Sequence, residues 1–348
     1  MRRLADLGVW GVTFHDDDLL PPGISDGERQ RILTDFRKAL DETGLVVSMV
    51  TCNLFAHPIF KDGAFTANDP SIRRHAIAKS MRAIDLGAEF GAKTYVLWGG
   101  REGTESYAAA PPIHALDRYR EAVDFLAGYA TDRDYGMRFA IEPKPNEPRG
   151  DTFLPTVGHV LSFIQSLDHR DMVGVNPEVA HETMAGLSFF HGVAQAIWAD
   201  KLFHVDLNAQ KPSRYDQDLR FGSEGIKDTF FFVKLLEDSA YDGPRQFDAR
   251  PYRSERDEGV WDFARGCMRT YLAMAEKAKQ FDEDAEIIEA LAYAKADQLA
   301  GETVGPYRRE TADALHAASF DVDALAAQTY GNDRLDQLVI DLLLGVRG

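Results

Sequence analysis

The stretch "MVGVNPEVAHE", residues 172 to 182, decides how this chain is read. Its first half is an apolar run, Met172-Val173-Gly174-Val175, of the kind that forms a strand buried on both faces. Its second half sets an acid, Glu178, and an imidazole, His181, three residues apart just past the strand's end. Taken alone, such a pair is as well explained by a helix cap and a surface histidine. What gives it weight is that other strand ends look the same.

Working outward, apolar runs occur at GVTF (11 to 14), LVVSMVTC (45 to 52), TYVLW (94 to 98), RFAIE (138 to 142), MVGVN (172 to 176), LFHVDL (202 to 207) and RQFDA (245 to 249), seven in all. Segments of helical period separate them. The first, "SDGERQRILTDFRKALDETG", opens with Ser25 and Glu28 at capping-box spacing and closes on Gly44. Further helices are expected near 70–90, 114–130, 157–167, 187–199, 227–239 and 259–281. Repeated βα units with doubly apolar strands mean a parallel sheet covered by helices, either a barrel or a doubly wound sheet. Polar residues close nearly every strand: His15 to Asp18, Trp98 to Gly100, Glu142 to Lys144, Glu178 to His181, Asp206 to Asn208, and Asp248. A barrel gathers such ends on one rim, whereas an open sheet strings them out, so the α/β barrel is favoured.

Past about residue 283 only helical signals remain, which predicts a barrel domain over 1–283 and a helical extension over 284–348. In "DRLDQLVIDLLLG" the residues Leu335, Leu338, Val339, Leu342 and Leu343 make one apolar stripe, expected to pack against another copy of the chain. The 348 residues suit one barrel, and 56 acidic against 39 basic residues give a net charge of −17. That charge repels nucleic acid and anionic membrane surfaces. Cys52 and Cys267 offer neither a disulfide framework nor zinc spacing. With no run of roughly 18 apolar residues, a cytoplasmic protein without membrane contact is expected.

Glu142, Glu178, Asp206 and Asp248 end four different strands, and on one rim their carboxylates would repel unless cations neutralise them. Oxygen-rich sites suit Mg²⁺ or Mn²⁺, and an added imidazole still admits Mn²⁺ or Co²⁺. "RYDQDLRFG" supplies two further acids, Asp216 and Asp218. His15 beside Asp18 has the make-up of a general base with its orienting carboxylate. Lys144 lies two residues beyond Glu142, on the same side of an extended chain, as a candidate for holding a substrate oxygen. Phe55 and Trp98 are either core aromatics or the walls that keep water from a substrate. No dinucleotide or Walker fingerprint is present, so no organic cofactor is expected.

With these residues assembled, the chain resembles a xylose isomerase of the shorter class. The resemblance is carried by "GVTFHDDDL", "NLFAHPIFKDGAFTANDP", "WGGREG", "FAIEPKPNEPRGD", "GVNPEVAHE", "KLFHVDLN", "YDQDLRFG" and "DQLVIDLLLG". It implies a TIM-type (β/α) barrel with a helical tail that embraces a neighbouring subunit, in a homotetramer or homodimer. It implies two divalent cations, the first held by Glu142, Glu178, Asp206 and Asp248, the second by a bridging Glu178 with His181, Asp216 and Asp218. It further implies ring opening by His15 with Asp18, an oxygen contact from Lys144, and a pocket walled by Phe55 and Trp98.

The expected activity is metal-dependent conversion of D-xylose to D-xylulose by a hydride shift, with D-glucose a poorer substrate. The family has one further strand and helix before the position of Arg2-Arg3-Leu4, so a barrel lacking that first unit is expected. Its strand edges at 11–14 and 245–249 would lack their usual neighbour, two pocket aromatics would be missing, and activity would be weakened. The alternative is a sugar- or metal-binding oligomer that has lost turnover. Another departure is "FDARP", where an aromatic and a lysine are expected in place of Ala249 and Arg250.

Overall fold

A computed structural model describes residues 1–296 and 303–347. Its parallel strands are β1 (Gly11–His15), β2 (Val46–Thr51), β3 (Thr94–Trp98), β4 (Arg138–Glu142), β5 (Val173–Val175), β6 (Val205–Asp206) and β7 (Arg245–Gln246). Helices alternate with them: α1 (Asp26–Thr43), α2 (Pro70–Glu89), α3 (Pro112–Asp132), α4 (Val157–Ile164), the short α5 (Val179–Met184), α6 (Phe189–Trp198), α7 (Ile226–Asp238) and α8 (Asp257–Glu283). Local signals place their ends. The Ser25 hydroxyl accepts from the Glu28 N–H, and Gly44 ends α1 in the left-handed conformation at φ 71°.

Strands β1 to β5 form one sheet in sequence order, β6 pairs with β7, and isolated parallel bridges Val175–Leu202 and Glu178–Asp206 carry the order across. Among the described residues β1 pairs only with β2, and β7 only with β6. The run 202–207, read as one continuous strand, is interrupted. Phe203 and His204 both direct their N–H at the Val175 carbonyl, at 3.2 and 3.5 Å. Two donors on one acceptor mark an extra residue in the ladder, a bulge that postpones regular pairing to Val205. The run 245–249 likewise pairs only over its first two residues, because Phe247 to Ala249 leave the sheet for the rim.

Strand alternation builds two apolar layers. Tyr95, Leu97, Phe139, Ile141, Val173 and Val175 face outward into the large core shared with Ile84 of α2, Leu126 of α3 and Ile164 of α4. Each such buried side chain contributes roughly 1.5–3 kcal/mol. Met49, Val96, Ala140 and Phe203 instead fill the barrel interior. The same alternation carries Trp98 and Glu142 inward one step further along, where β3 and β4 pair them directly. At Gly174 a Cβ would lie 2.4 Å from the Phe203 ring and 2.6 Å from the Lys201 carbonyl, so only glycine lets that segment close against β5.

The chain divides into two compact units, Met1–Tyr271 and Leu272–Gly348, at a point inside α8. In the second unit Asp284 caps the helix Ala285–Tyr293, whose Ile287 and Ala290 are buried. The helix Asn332–Leu343 packs against it and buries Leu338, Val339 and Leu342. Three of the five stripe residues, Leu338, Val339 and Leu342, are therefore covered within the same chain. Cys52 and Cys267 are both free and buried. Among the described residues no helix is long and apolar enough to cross a membrane.

Candidate metal centre

The C-terminal ends of the strands surround a cavity of about 790 Å³, and its lining includes all twelve residues singled out from the sequence. The fold brings each one there by a different device. Glu142 is the last residue of β4. Glu178 occupies the N-cap position of α5, yet its side chain caps nothing, and His181 on that helix is only 2% exposed. The reading of this pair as helix cap and surface histidine is therefore excluded. Asp216 and Asp218 return to the rim because Ala209 and Leu219 pinch their loop with two hydrogen bonds of 3.0 Å. Inside the loop the Gln210 side chain donates to the carbonyls of Lys211, Arg214 and Tyr215 and accepts from the Gln217 N–H.

Glu178 is common to three groups of potential ligands: with Glu142 and His181, with Asp206 and Asp248, and with Asp216 and Asp218. Within each group one atom per residue lies within 4.8 Å of the others. His181 Nε2 is 3.3 Å from both Glu178 Oε2 and Asp216 Oδ2, while its Nδ1 is 3.5 Å from Glu142 Oε1. Lys144 is buried and gives its ammonium to Asp216 at 2.8 Å, 5.4 Å from the Trp98 ring centre. Asp218 is met by Arg250 at 3.3 Å, so the expected lysine position is filled by a guanidinium paired with a candidate ligand.

The electrostatics show what this cluster lacks. Burial raises Glu142, Glu178 and Asp206 well above the ordinary carboxylate range, and neighbouring carboxylates raise them further. Burial and then Asp216 push Asp218 up to about 7. Asp216 goes the other way: burial opposes its charge, but hydrogen bonds from His181 and Lys144 and the charge of Lys144 bring it below its usual value. Burial lowers His181, leaving the neutral imidazole that a metal requires. Among the described residues Asp206 Oδ1, Asp216 Oδ1 and His181 Nδ1 are buried without a hydrogen-bond partner. Crowded carboxylates, a neutral imidazole and orphaned oxygens fit divalent cations.

Three residues that sequence reasoning passed over hold the candidate ligands still. Asn176 donates through Nδ2 to Glu142 at 3.2 Å and to Asp206 at 2.7 Å. Its Oδ1 must therefore accept, which fixes the proton of His204 on Nδ1, 2.8 Å away. Burial pushes His204 down to about 3, so it stays neutral. Asn208 donates to Glu178 at 2.6 Å and accepts from the Ala180 N–H, tying α5 to the end of β6. Their one signal in the sequence was a polar residue inside or just past an apolar run.

In the same cavity lining His15 Nδ1 lies 3.0 Å from Asp18 Oδ2. The carboxylate of Asp18 also faces the His15 backbone N–H at 3.4 Å, closing a capping box on the short helix Asp16–Leu19. Phe55 bridges this pair to the rest of the pocket, its ring centre 5.7 Å from His15 and 4.4 Å from Trp98.

Known proteins share both fold and sequence. Residues 1–271 match the family described as xylose isomerase-like TIM barrel. A xylose isomerase from Thermus thermophilus is 56% identical over the whole chain, which spans 90% of that protein's length, and one from Thermus caldophilus is 54% identical with the same coverage. Among solved structures, an L-ribulose 3-epimerase superposes with a TM-score of 0.62 at 17% identity, covering 81% of this chain and 89% of that one. A D-tagatose 3-epimerase-like protein gives 0.58 at 15% identity, covering 71% and 84%. These two speak for the fold alone, whereas the identity shared with the Thermus proteins along the full chain speaks for descent. The chain belongs to the xylose isomerase family of TIM barrels.

Proposed function

We propose that this protein is a metal-dependent aldose-ketose isomerase that converts D-xylose to D-xylulose, with D-glucose a poorer substrate. The observation that carries the reading is one carboxylate, Glu178, shared by three ligand groups, in a cavity that also holds a His–Asp pair and a buried lysine. Glu142, Glu178, Asp206 and Asp248 would hold one divalent cation, and Glu178, His181, Asp216 and Asp218 a second, with Mg²⁺, Mn²⁺ or Co²⁺ suited to the donors. When bound, the cations supply Lewis-acid polarisation of the two sugar oxygens.

The chain's own residues do the rest. Asp18 would hold the His15 ring through Nδ1, leaving Nε2 to exchange a proton with the sugar ring as it opens. Phe55 and Trp98 present apolar faces that exclude water. Lys144, which lines the same cavity, would donate to the oxygen on the aldehyde carbon. Within the sugar, the hydrogen on C2 moves to C1 with its electron pair, O2 loses its proton and O1 gains one, so no external oxidant or reductant is needed. Exposed Tyr307, Phe320, Val322 and Leu325 in the C-terminal unit support assembly as a homotetramer or homodimer. The acidic charge and free cysteines support a cytoplasmic setting.

The test is D-xylulose formation by metal-stripped protein, with and without Mg²⁺ or Mn²⁺, beside a His15→Ala control. Turnover restored by metal is expected, with a loss of roughly 100-fold or more in the control. Cation binding without turnover would replace the isomerase reading with that of a sugar- or metal-binding oligomer.

A further inference from the structure

The three aspartates after β1 have different neighbours. Asp18 lines the cavity and meets His15, whereas Asp16 and Asp17 direct their carboxylates at Lys79 on α2. Lys79 Nζ makes a very short contact with Asp16 Oδ2 and lies 3.0 Å from Asp17 Oδ1. The side chains of Lys79, Asp16 and Asp17 are 15, 14 and 25% exposed. Asp16 reaches further: its Oδ1 accepts from the Asn53 N–H at 2.8 Å. The Asn53 side chain in turn accepts from the N–H groups of Phe55 and Ala56, at 3.3 and 3.0 Å. One ammonium thus lies at the head of two branches, one leading to the His15–Asp18 pair and the other to the turn that bears Phe55.

Stability alone is a poor reason for this arrangement, since sheltering two carboxylates and an ammonium costs desolvation that an apolar trio would not. What the ions add is direction. The helix Asp16–Leu19 has four residues, too few to hold itself, and the orientation of Asp18 depends on whatever fixes it. We propose that Lys79 is a positioning residue, which grips Asp16 and Asp17 so that Asp18 is presented to His15 and, through Asn53, Phe55 to the pocket. Its kinetic consequence rests on the isomerase reading; its geometric consequence does not.

The experiment uses the full chain loaded with Mn²⁺, as wild type, Lys79→Met and Lys79→Arg. Lys79→Met is expected to lower kcat for D-xylose roughly 10- to 100-fold, the cost of a small misplacement, with KM and Mn²⁺ affinity nearly unchanged. Lys79→Arg should recover most of the loss. In ¹⁵N NMR of the metal-free protein, the His15 ring should carry its proton on Nδ1 toward Asp18 in the wild type and show mixed tautomers in Lys79→Met. Wild-type kcat together with wild-type His15 signals in Lys79→Met would overturn the proposal. Should the wild type itself not isomerise D-xylose, the functional reading falls and the NMR comparison decides the positioning role by itself. Should Lys79→Met not fold, Asp17→Asn, which removes only the more exposed partner, takes its place. A several-fold fall in kcat with the same tautomer mixing supports the proposal, and an unchanged enzyme and spectrum refute it.

Discussion

Glu178→Gln is expected to weaken Mn²⁺ binding by at least about 100-fold, the upper end of what losing a mere outer partner costs, and to reduce turnover at least as far. The reason is topological. Glu178 enters all three ligand groups, so removing its charge weakens each, whereas a change at Asp206 or Asp218 touches one. Glutamine keeps the shape and can still meet Asn208, so the fold around α5 should persist. A second consequence has the opposite sign. Without cations Glu178 is a charge that burial and its neighbours disfavour, so the metal-free variant should melt at a higher temperature than the metal-free wild type. Titration calorimetry with Mn²⁺ and paired melts would check both. Wild-type metal affinity in Glu178→Gln would remove Glu178 from the centre of the site.

Stripping the metal is expected to cost the wild type about 3–4 kcal/mol relative to protein held at 100 to 1,000 times the dissociation constant. The size of that loss should depend on pH. Glu142, Glu178 and Asp206 all have folded-state values raised by burial, so above the unfolded value of about 4 the folded metal-free chain holds more protons than the unfolded one. Because the folded state holds the greater number of protons, raising the pH from 5 to 8 should lower metal-free stability. Bound cations take the place of the protons and should flatten the dependence. Thermal melts at pH 5, 6.5 and 8, with chelator or with Mg²⁺, give the comparison. A metal-free protein that gained stability with rising pH would mean the cluster is not charge-frustrated as its burial implies.

The fold was legible because barrel strands alternate with period two, so outward residues such as Phe139 and Ile141 and inward ones such as Glu142 fall at fixed steps. The candidate ligands were legible for the same reason: strand ends on one rim need no long-range information beyond the rim itself. The supporting residues were not. Asn176, His204 and Asn208 have ordinary polar side chains, and their meaning lies in partners on other strands. Lys79 sits within a helix, and only tertiary folding reveals two half-buried aspartates beside it. The bulge at Phe203 and His204 was hidden because an apolar run has no mark for one extra residue.

The way the ladder ends also sets where the molecule breathes. β3 and β4 are largely buried and bonded to strands on both sides, whereas β1 is half-exposed along its whole length and, like β7, has a single ladder neighbour among the described residues. Amide hydrogens of β3 and β4 should therefore exchange with solvent only through rare, large openings, and those of β1 and β7 through frequent small ones. Glu142 closes the doubly bonded β4, while His15 closes β1 and Asp248 follows β7. The candidate ligand Glu142 is thus anchored in the most persistent part of the barrel, and His15, the proposed proton-handling residue, rides on the part that opens first.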